Sequence, residues 1–315
     1  MRLRKRTRQR LFIATFLAGA LTLYSAFVLW PYAETFGYSL TDWSGVAPPS
    51  KIVGLQNYTK LFGDDVFRQA LLHNLLLLVF LPIVTILLAL FFAFMLNVGR
   101  GGRGVAGVRG VTGSAFYRVV FFFPQVLSVA ILIILFQAAY RSDSAGLFNG
   151  IAIKLGLTDK NHPLEWLNSP GTVMWCIMAV LVWAMVGFYL VLFSAAMQSI
   201  PRDYFEAALL DGASRSETFF RVTVPLLWDS IQTAWVYLAI AAMDAFALVS
   251  TLTPGTSYGG GPDHHGEVLA TYLMRNFLTF GKAGYACAMG VVIFLITLIL
   301  SLVVLRVTRR ERVEF

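Results

Sequence analysis

Six stretches of this chain are long and apolar enough to cross a lipid bilayer, and nothing else limits its fold as strongly. A spanning helix needs about 20 mostly apolar residues. The charge-free run from Leu11 to Ala33 supplies 23, Asn74 to Gly99 supplies 26 and Val119 to Tyr140 supplies 22. Trp166 to Pro201 is charge-free throughout, and its Thr172 to Met197 part is taken as the membrane segment. Ser230 to Ser250 carries one charge, Asp244, and Ala283 to Leu305 carries none. The expected spans are therefore about 11–33, 74–96, 119–139, 172–197, 230–250 and 283–305.

Composition agrees. Only 13% of the residues are charged and 57% are hydrophobic, whereas a soluble domain carries about 25% charged residues. That excludes an ordinary water-soluble enzyme, a disordered tail protein and a coiled coil. A membrane β-barrel needs many alternating segments of about 10 residues, and none is visible. The expected fold is an all-α membrane protein of six transmembrane helices, with a transmembrane domain over 11–305 between short tails, 1–10 and 306–315.

Charge sets the orientation. Seventeen of the 25 Lys and Arg residues fall in the N-terminal tail, the second–third and fourth–fifth loops and the C-terminal tail; the other three loops hold eight. The positive-inside rule then puts both termini in the cytoplasm of a multi-pass membrane protein. The first apolar run exceeds the roughly 7–15 residues of a signal h-region, so it reads as an uncleaved helix. A net charge of +8 concentrated beside apolar runs, with no interleaved stacking aromatics, points to the lipid bilayer and not to nucleic acid. Cys176 and Cys287 both lie inside apolar runs and are expected as free thiols.

The loops differ in kind. Residues 99–113 hold seven glycines, but no Gly-Lys-Ser/Thr follows, so a connector is expected there and not a phosphate cradle. With no Walker A sequence anywhere, the chain is expected not to hydrolyse ATP. The segment 202–225 has seven charged residues among 24 and is expected in the cytoplasm. Pro201 and Asp203 suit a helix start, and Tyr204, Phe205, Ala208 and Leu209 form an apolar stripe. Gly212 suits a left-handed stop. Ser214 and Glu217 stand at capping-box spacing for a second short helix, which Pro225 is expected to close. Such a helix–Gly–helix element either docks on another protein or lies flat at the interface.

The run Glu206-Ala207-Ala208, three residues, Gly212, nine residues, Val222-Thr223-Val224-Pro225 resembles the EAA motif of permease subunits in bacterial ABC importers. Valine replaces the family's usual Ile and Leu. Further stretches resemble the carbohydrate-uptake, maltose-permease-like branch: Gly54-Leu55-Gln56-Asn57-Tyr58 through Asn74, Phe121-Phe122-Phe123-Pro124, Gly146-Leu147-Phe148-Asn149 with Gly156-Leu157, and Leu252-Thr253 followed by Gly260-Gly261-Pro262 after an interruption. The resemblance implies a coupling helix between spans four and five, with Glu206, Ala207, Ala208, Gly212 and Pro225 at a cleft on a separate ATPase subunit. It also implies a second permease subunit, expected as a heterodimer partner, two ATP-binding subunits that bind ATP and Mg²⁺, and an extracytoplasmic sugar-binding protein. No cofactor is expected in this chain.

The cargo implied is a mono- or oligosaccharide, with an amino sugar such as N-acetylglucosamine or its dimer as one candidate. Asp244, whose charge at a helix centre costs roughly 2.5–3.5 kcal/mol on insertion scales, is either an acceptor for sugar hydroxyls or a helix-to-helix or subunit-to-subunit partner. Trp183, Tyr189 and Phe246 are stacking candidates, although lipid-facing or packing roles explain any single one of them more readily, and Gln125 is a polar candidate in the third span that helix–helix bonds explain comparably well. Gly284/Ala288 and Ala286/Gly290 have small-residue spacing that reads as close packing. His264-His265 is expected as a solvated pair, not a metal site. An ion-coupled secondary transporter is the alternative, but it calls for intramembrane ionisable groups and internal repeats, and only Asp244 answers. A membrane enzyme needs convergent His, Asp, Glu or Ser, and the four histidines lie outside the spans.

Overall fold

A computed structural model describes residues 2–49, 51–97, 113–253, 255–256 and 258–307. Most of the glycine-rich connector and the last residues of the C-terminal tail lie outside the described residues.

Most of the described residues are helical. Helix α1 (Arg2–Tyr24), a π-helical turn (Ser25–Leu29) and α2 (Trp30–Tyr38) form one rod, so the basic N-terminal residues continue directly into the first apolar run. Then come α3 (Gln56–Phe62), α4 (Asp65–Asn97), α5 (Ser114–Val126), α6 (Val129–Ala139), α7 (Leu147–Lys154) and α8 (Val173–Ser199). Helices α9 (Arg202–Leu210), α10 (Arg215–Thr218), α11 (Val224–Leu226), α12 (Trp228–Met243) and α13 (Phe246–Leu252) follow. Strands β1 (Gly255–Thr256) and β2 (Gly259–Gly260) pair antiparallel before α14 (Leu269–Met274) and α15 (Ala283–Val307).

Among the described residues, four helices satisfy length and hydropathy for a membrane crossing: Phe12–Tyr38, Asp65–Asn97, Val173–Ser199 and Ala283–Val303. Two further crossings are available only if each bent pair counts as one, α5 with α6 at 96° and Arg215–Leu226 with α12 at 68°. The third expected span is thus not one straight helix. Pro124 lies inside α5, Leu127 is extended, and Ser128 caps α6 by accepting from Ile131 N–H at 3.4 Å. Proline removes a ladder donor and crowds the preceding turn, and a serine N-cap restarts the helix. The fifth expected span also breaks, at Asp244-Ala245 between α12 and α13.

The chain divides into two compact units. The first comprises residues 1–64 and 273–294. Its packing hinges on Gly284, where an added Cβ would sit 2.3 Å from Thr41 O, while Gly284 N–H donates to Trp43 O at 2.8 Å. The small residues at the start of α15 therefore receive the loop at Thr41 together with the end of α2, since the same Cβ would lie 3.1 Å from Tyr38 O, and Gly290 faces Thr35 of α2. Asn57, buried, donates to both Ser39 O and Thr41 O at 2.9 Å, holding that loop from α3.

The second unit comprises residues 65–272 and 295–315. Its core is built on α4, α8 and α12: Leu77, Leu81, Ile177, Leu190, Phe193 and Leu238 are all fully buried. Helix α5 lies against α8 so closely that a Cβ on Gly187 would stand 1.8 Å from Phe121 O. Only glycine permits this backbone approach. The interrupted Leu-Thr…Gly-Gly-Pro turn is filled by the β1–β2 hairpin. It is tied down by Thr253 Oγ1, which accepts from Gly260 N–H at 2.8 Å and donates to Val249 O at 2.7 Å.

Candidate functional site

The element 202–225 forms an elbow. Pro201 is the N-cap of α9 and Asp203 lies in its first turn, where a carboxylate faces the helix's positive end. The helix stops in a Schellman arrangement: Gly212 N–H donates to Leu209 O and Ala213 N–H to Ala208 O, each at 3.0 Å. Gly212 adopts φ +75°, the conformation that an L side chain resists. Ser214 then opens α10 with a complete capping box, since Ser214 N–H donates to Glu217 Oε2 at 2.8 Å and Glu217 N–H to Ser214 Oγ at 3.3 Å.

The bond from Ser214 N–H holds the Glu217 carboxyl below the ordinary carboxylate range. A depressed value means the box is intact above the usual Glu pKa and is lost as pH falls through the folded-state value. Replacing Ser214→Ala is expected to cost the local helix about 1 kcal/mol. Hydrogen exchange at 215–218 is expected to speed up in that variant, and in the parent on acidification. A Glu217→Gln variant should show a weaker acid response; identical pH profiles would mean the box does not form.

Burial corrects one detail of the sequence reading. Of the expected stripe, Phe205 and Ala208 are buried, but Tyr204 and Leu209 are exposed, because only one narrow face of α9 meets the core. The second helix ends at Leu226, one residue past Pro225, before the 68° bend into α12. A π-helical turn (Phe219–Thr223) precedes Pro225, and the chain stays helical through it into α11. The inward anchors are Phe205 and Phe219, and the Phe219 ring centroid lies 4.5 Å from that of Phe94 at the end of α4. Facing outward are Glu206, Ala207, Leu209 and Leu210, the last 88% exposed. An apolar, solvent-facing tip on a rigidly capped elbow whose other face is wedged into α4 can pass a push into the helical core.

A second polar feature lies near that end of α4. Arg118 Nη2 donates to Asn97 Oδ1 at 2.7 Å, and Asn97 Nδ2 donates to Ser194 Oγ at 3.0 Å, linking α5, α4 and α8. Sequence reading overlooked it; the signal was an asparagine closing an apolar run.

The expected path residues scatter. Asp244 is the C-cap of α12, exposed, and its carboxylate has no side-chain partner among the described residues. Phe246 begins α13 two residues on, half-buried, and Gln125 is exposed near the end of α5. Tyr189 is buried in α8 against Phe188 and Phe193. Trp183 meets Phe136 edge-on at 5.2 Å and lines a groove of about 790 Å³ whose walls, Phe80, Val84, Phe92, Phe121 and Trp175 among them, carry no charged or amide side chain. Asp244 and Phe246 therefore share one helix break, while Trp183 and Tyr189 occupy separate apolar settings. Gln137 Nε2 donates to Thr251 O at 2.6 Å, joining α6 to α13. His264 is not simply solvated: its Nδ1 lies 2.9 Å from the buried Glu267 carboxylate. Among the described residues no cluster suits a metal ion.

Comparison with known proteins bears on all of this. Residues 63–313 match the family described as binding-protein-dependent transport system inner membrane component. The diacetylchitobiose uptake system permease protein NgcF of Streptomyces coelicolor is 40% identical over 309 residues, spanning 98% of this chain and 85% of that protein. The probable ABC transporter permease protein YurN of Bacillus subtilis is 33% identical over 299 residues, 95% of this chain and 96% of that one. Among solved structures, a chain of a bacterial alginate ABC transporter in complex with an alginate pentasaccharide-bound periplasmic protein superposes with a TM-score of 0.81. It is 20% identical and covers 98% of both chains, a likeness of fold.

Proposed function

Because the chain belongs to the family of binding-protein-dependent transport system inner membrane components, we propose that its 202–225 elbow is the coupling helix through which separate ATPase subunits drive sugar import. The observation that carries this is the capped elbow itself, with Glu206, Ala207 and Leu210 turned outward and Phe205 and Phe219 seated in the core. Glu206, Ala207, Ala208, Gly212 and Pro225 form the proposed coupling set. Two ATP-binding subunits that bind ATP and Mg²⁺, a second permease of similar fold and an external binding protein complete the proposed assembly. In that assembly six crossings leave both termini and the elbow in the cytoplasm, in keeping with the surplus of Lys and Arg on that side.

The proposed cargo is an oligosaccharide of N-acetylated amino sugar, as the 40% identity to a diacetylchitobiose permease supports. Asp244 and Phe246 at the α12–α13 break supply a hydroxyl acceptor and an apolar ring within two residues, the pairing sugars need. Gln125, Trp183 and Tyr189 complete the proposed path set.

Radiolabelled diacetylchitobiose uptake in a deletion strain carrying the full transporter tests the cargo. Uptake is expected, with excess unlabelled diacetylchitobiose competing and maltose not competing; competition by maltose alone would overturn it. Asp244→Leu is expected to lower uptake at least tenfold with normal membrane levels, and Asp244→Asn to retain most of it. Full activity in Asp244→Leu would remove this carboxylate from the path.

A further inference from the structure

The α12–α13 break has a specific cause of support that lies far away in the chain. Where a helix stops, its last carbonyls lose their partners, and inside a membrane there is no water to replace them. At this break Asp244 N–H still reaches Ile240 O at 3.1 Å, but no main-chain donor among the described residues takes Ala242 O. The donor is instead the side chain of Asn74, a residue of α4 only 1% exposed, whose Nδ2 lies 3.1 Å from Ala242 O. The same amide's Oδ1 accepts from Leu269 N–H at 2.7 Å, one of the unsatisfied donors at the start of α14. Ala242 offers only an acceptor and Leu269 only a donor, so the amide's orientation is fixed by its partners. Its neighbour His73 adds a third tie, Nδ1 lying 2.7 Å from Glu267 O.

One buried amide thus closes the end of α12 and the beginning of α14, the two helices on either side of the α13–hairpin excursion. Both of its hydrogen-bonding ends are occupied, so it is not a ligand group. We propose that Asn74 is a positioning residue for Asp244: it stabilises the helix break that turns the Asp244 carboxylate out of the α12 ladder and fixes where that carboxylate points. The proposal rests on the reading of Asp244 as a path residue only for its consequence in transport. The placement itself stands apart from that reading.

The test uses the complete transporter in membrane vesicles, carrying Cys176→Ala, Cys287→Ala and Asp244→Cys, and reads the rate at which a membrane-impermeant maleimide labels position 244. Asn74→Leu keeps the volume and removes both bonds; it is expected to change that rate tenfold or more. Asn74→Asp keeps the acceptor for Leu269 but loses the donor for Ala242, and a change of about threefold or more is expected. It also decides the matter if Asn74→Leu fails to accumulate. A cysteine at the exposed loop residue Asn161 should label at one rate in all backgrounds. Labelling at 244 that stays within twofold in Asn74→Asp and Asn74→Leu overturns the proposal. If Asn74 variants shift the labelling while Asp244→Leu leaves uptake intact, the positioning role stands and the path reading falls.

Discussion

Replacing Gly212→Pro is expected to abolish sugar uptake while leaving the protein in the membrane at its normal level. Proline fixes φ near −65°, whereas Gly212 sits at +75°, so the two are incompatible. Proline also removes the N–H that closes on Leu209 O at 3.0 Å. The α9 stop is lost, and with it the angle between the exposed tip and the Phe205–Phe219 anchor. ATP hydrolysis by the assembled transporter is expected to lose its stimulation by loaded binding protein. Gly212→Asn, which tolerates the left-handed region, should keep most of the uptake. Undiminished uptake in Gly212→Pro would overturn the coupling role proposed for the elbow.

The other large effect is expected at Gly187→Leu. Even the first carbon of that side chain would meet Phe121 O at 1.8 Å, and Phe122 Cα at 3.0 Å. Both are main-chain atoms of a helix that cannot swing aside as a side chain can. Overpacking of well-packed cores costs about 1–3 kcal/mol, and a backbone-to-backbone clash belongs at or above the top of that range. The variant is expected to accumulate poorly and to melt at clearly lower temperature in detergent. Gly19→Ala is the matched control, since a Cβ there meets nothing within 4 Å and alanine favours a helix over glycine by about 1 kcal/mol. Equal melting of the Gly187 and Gly19 variants would mean that α5 and α8 do not touch.

Features written in local chemistry could be read ahead of the fold. Hydrocarbon forces backbone groups to pair within their own segment, so the 172–197 run emerges as α8 and the 283–305 run as α15 with ends shifted by one or two residues. The elbow was legible for the same reason: Pro201, Gly212 and the Ser214–Glu217 pair act within a few residues of themselves. What stayed hidden is tertiary. The 74–96 run says nothing of the helix beginning at Asp65, because its first turns are held by contacts and not by lipid. The break at Asp244 depends on Asn74, 168 residues from Ala242. The choice between the inward Phe205 and the outward Leu209 depends on where α4 and the π-helical turn lie. Trp183 reads from the sequence as a stacking candidate that packing explains more readily, and the groove around it shows that its neighbours are hydrocarbon.

Gly212 also differs from Gly187 in what its missing side chain is for. At 187 the neighbours leave no room; at 212 an added carbon would touch nothing within 4 Å. Handedness, not bulk, is what selects glycine at the elbow. A mirror-image alanine installed there by semisynthesis would be at ease in the same backbone well, leaving this chain undisturbed and adding one methyl group to the outer skin of the bend. Any protein that seats itself against that skin would feel the methyl directly, which makes the position a feeler gauge for whatever grips the elbow.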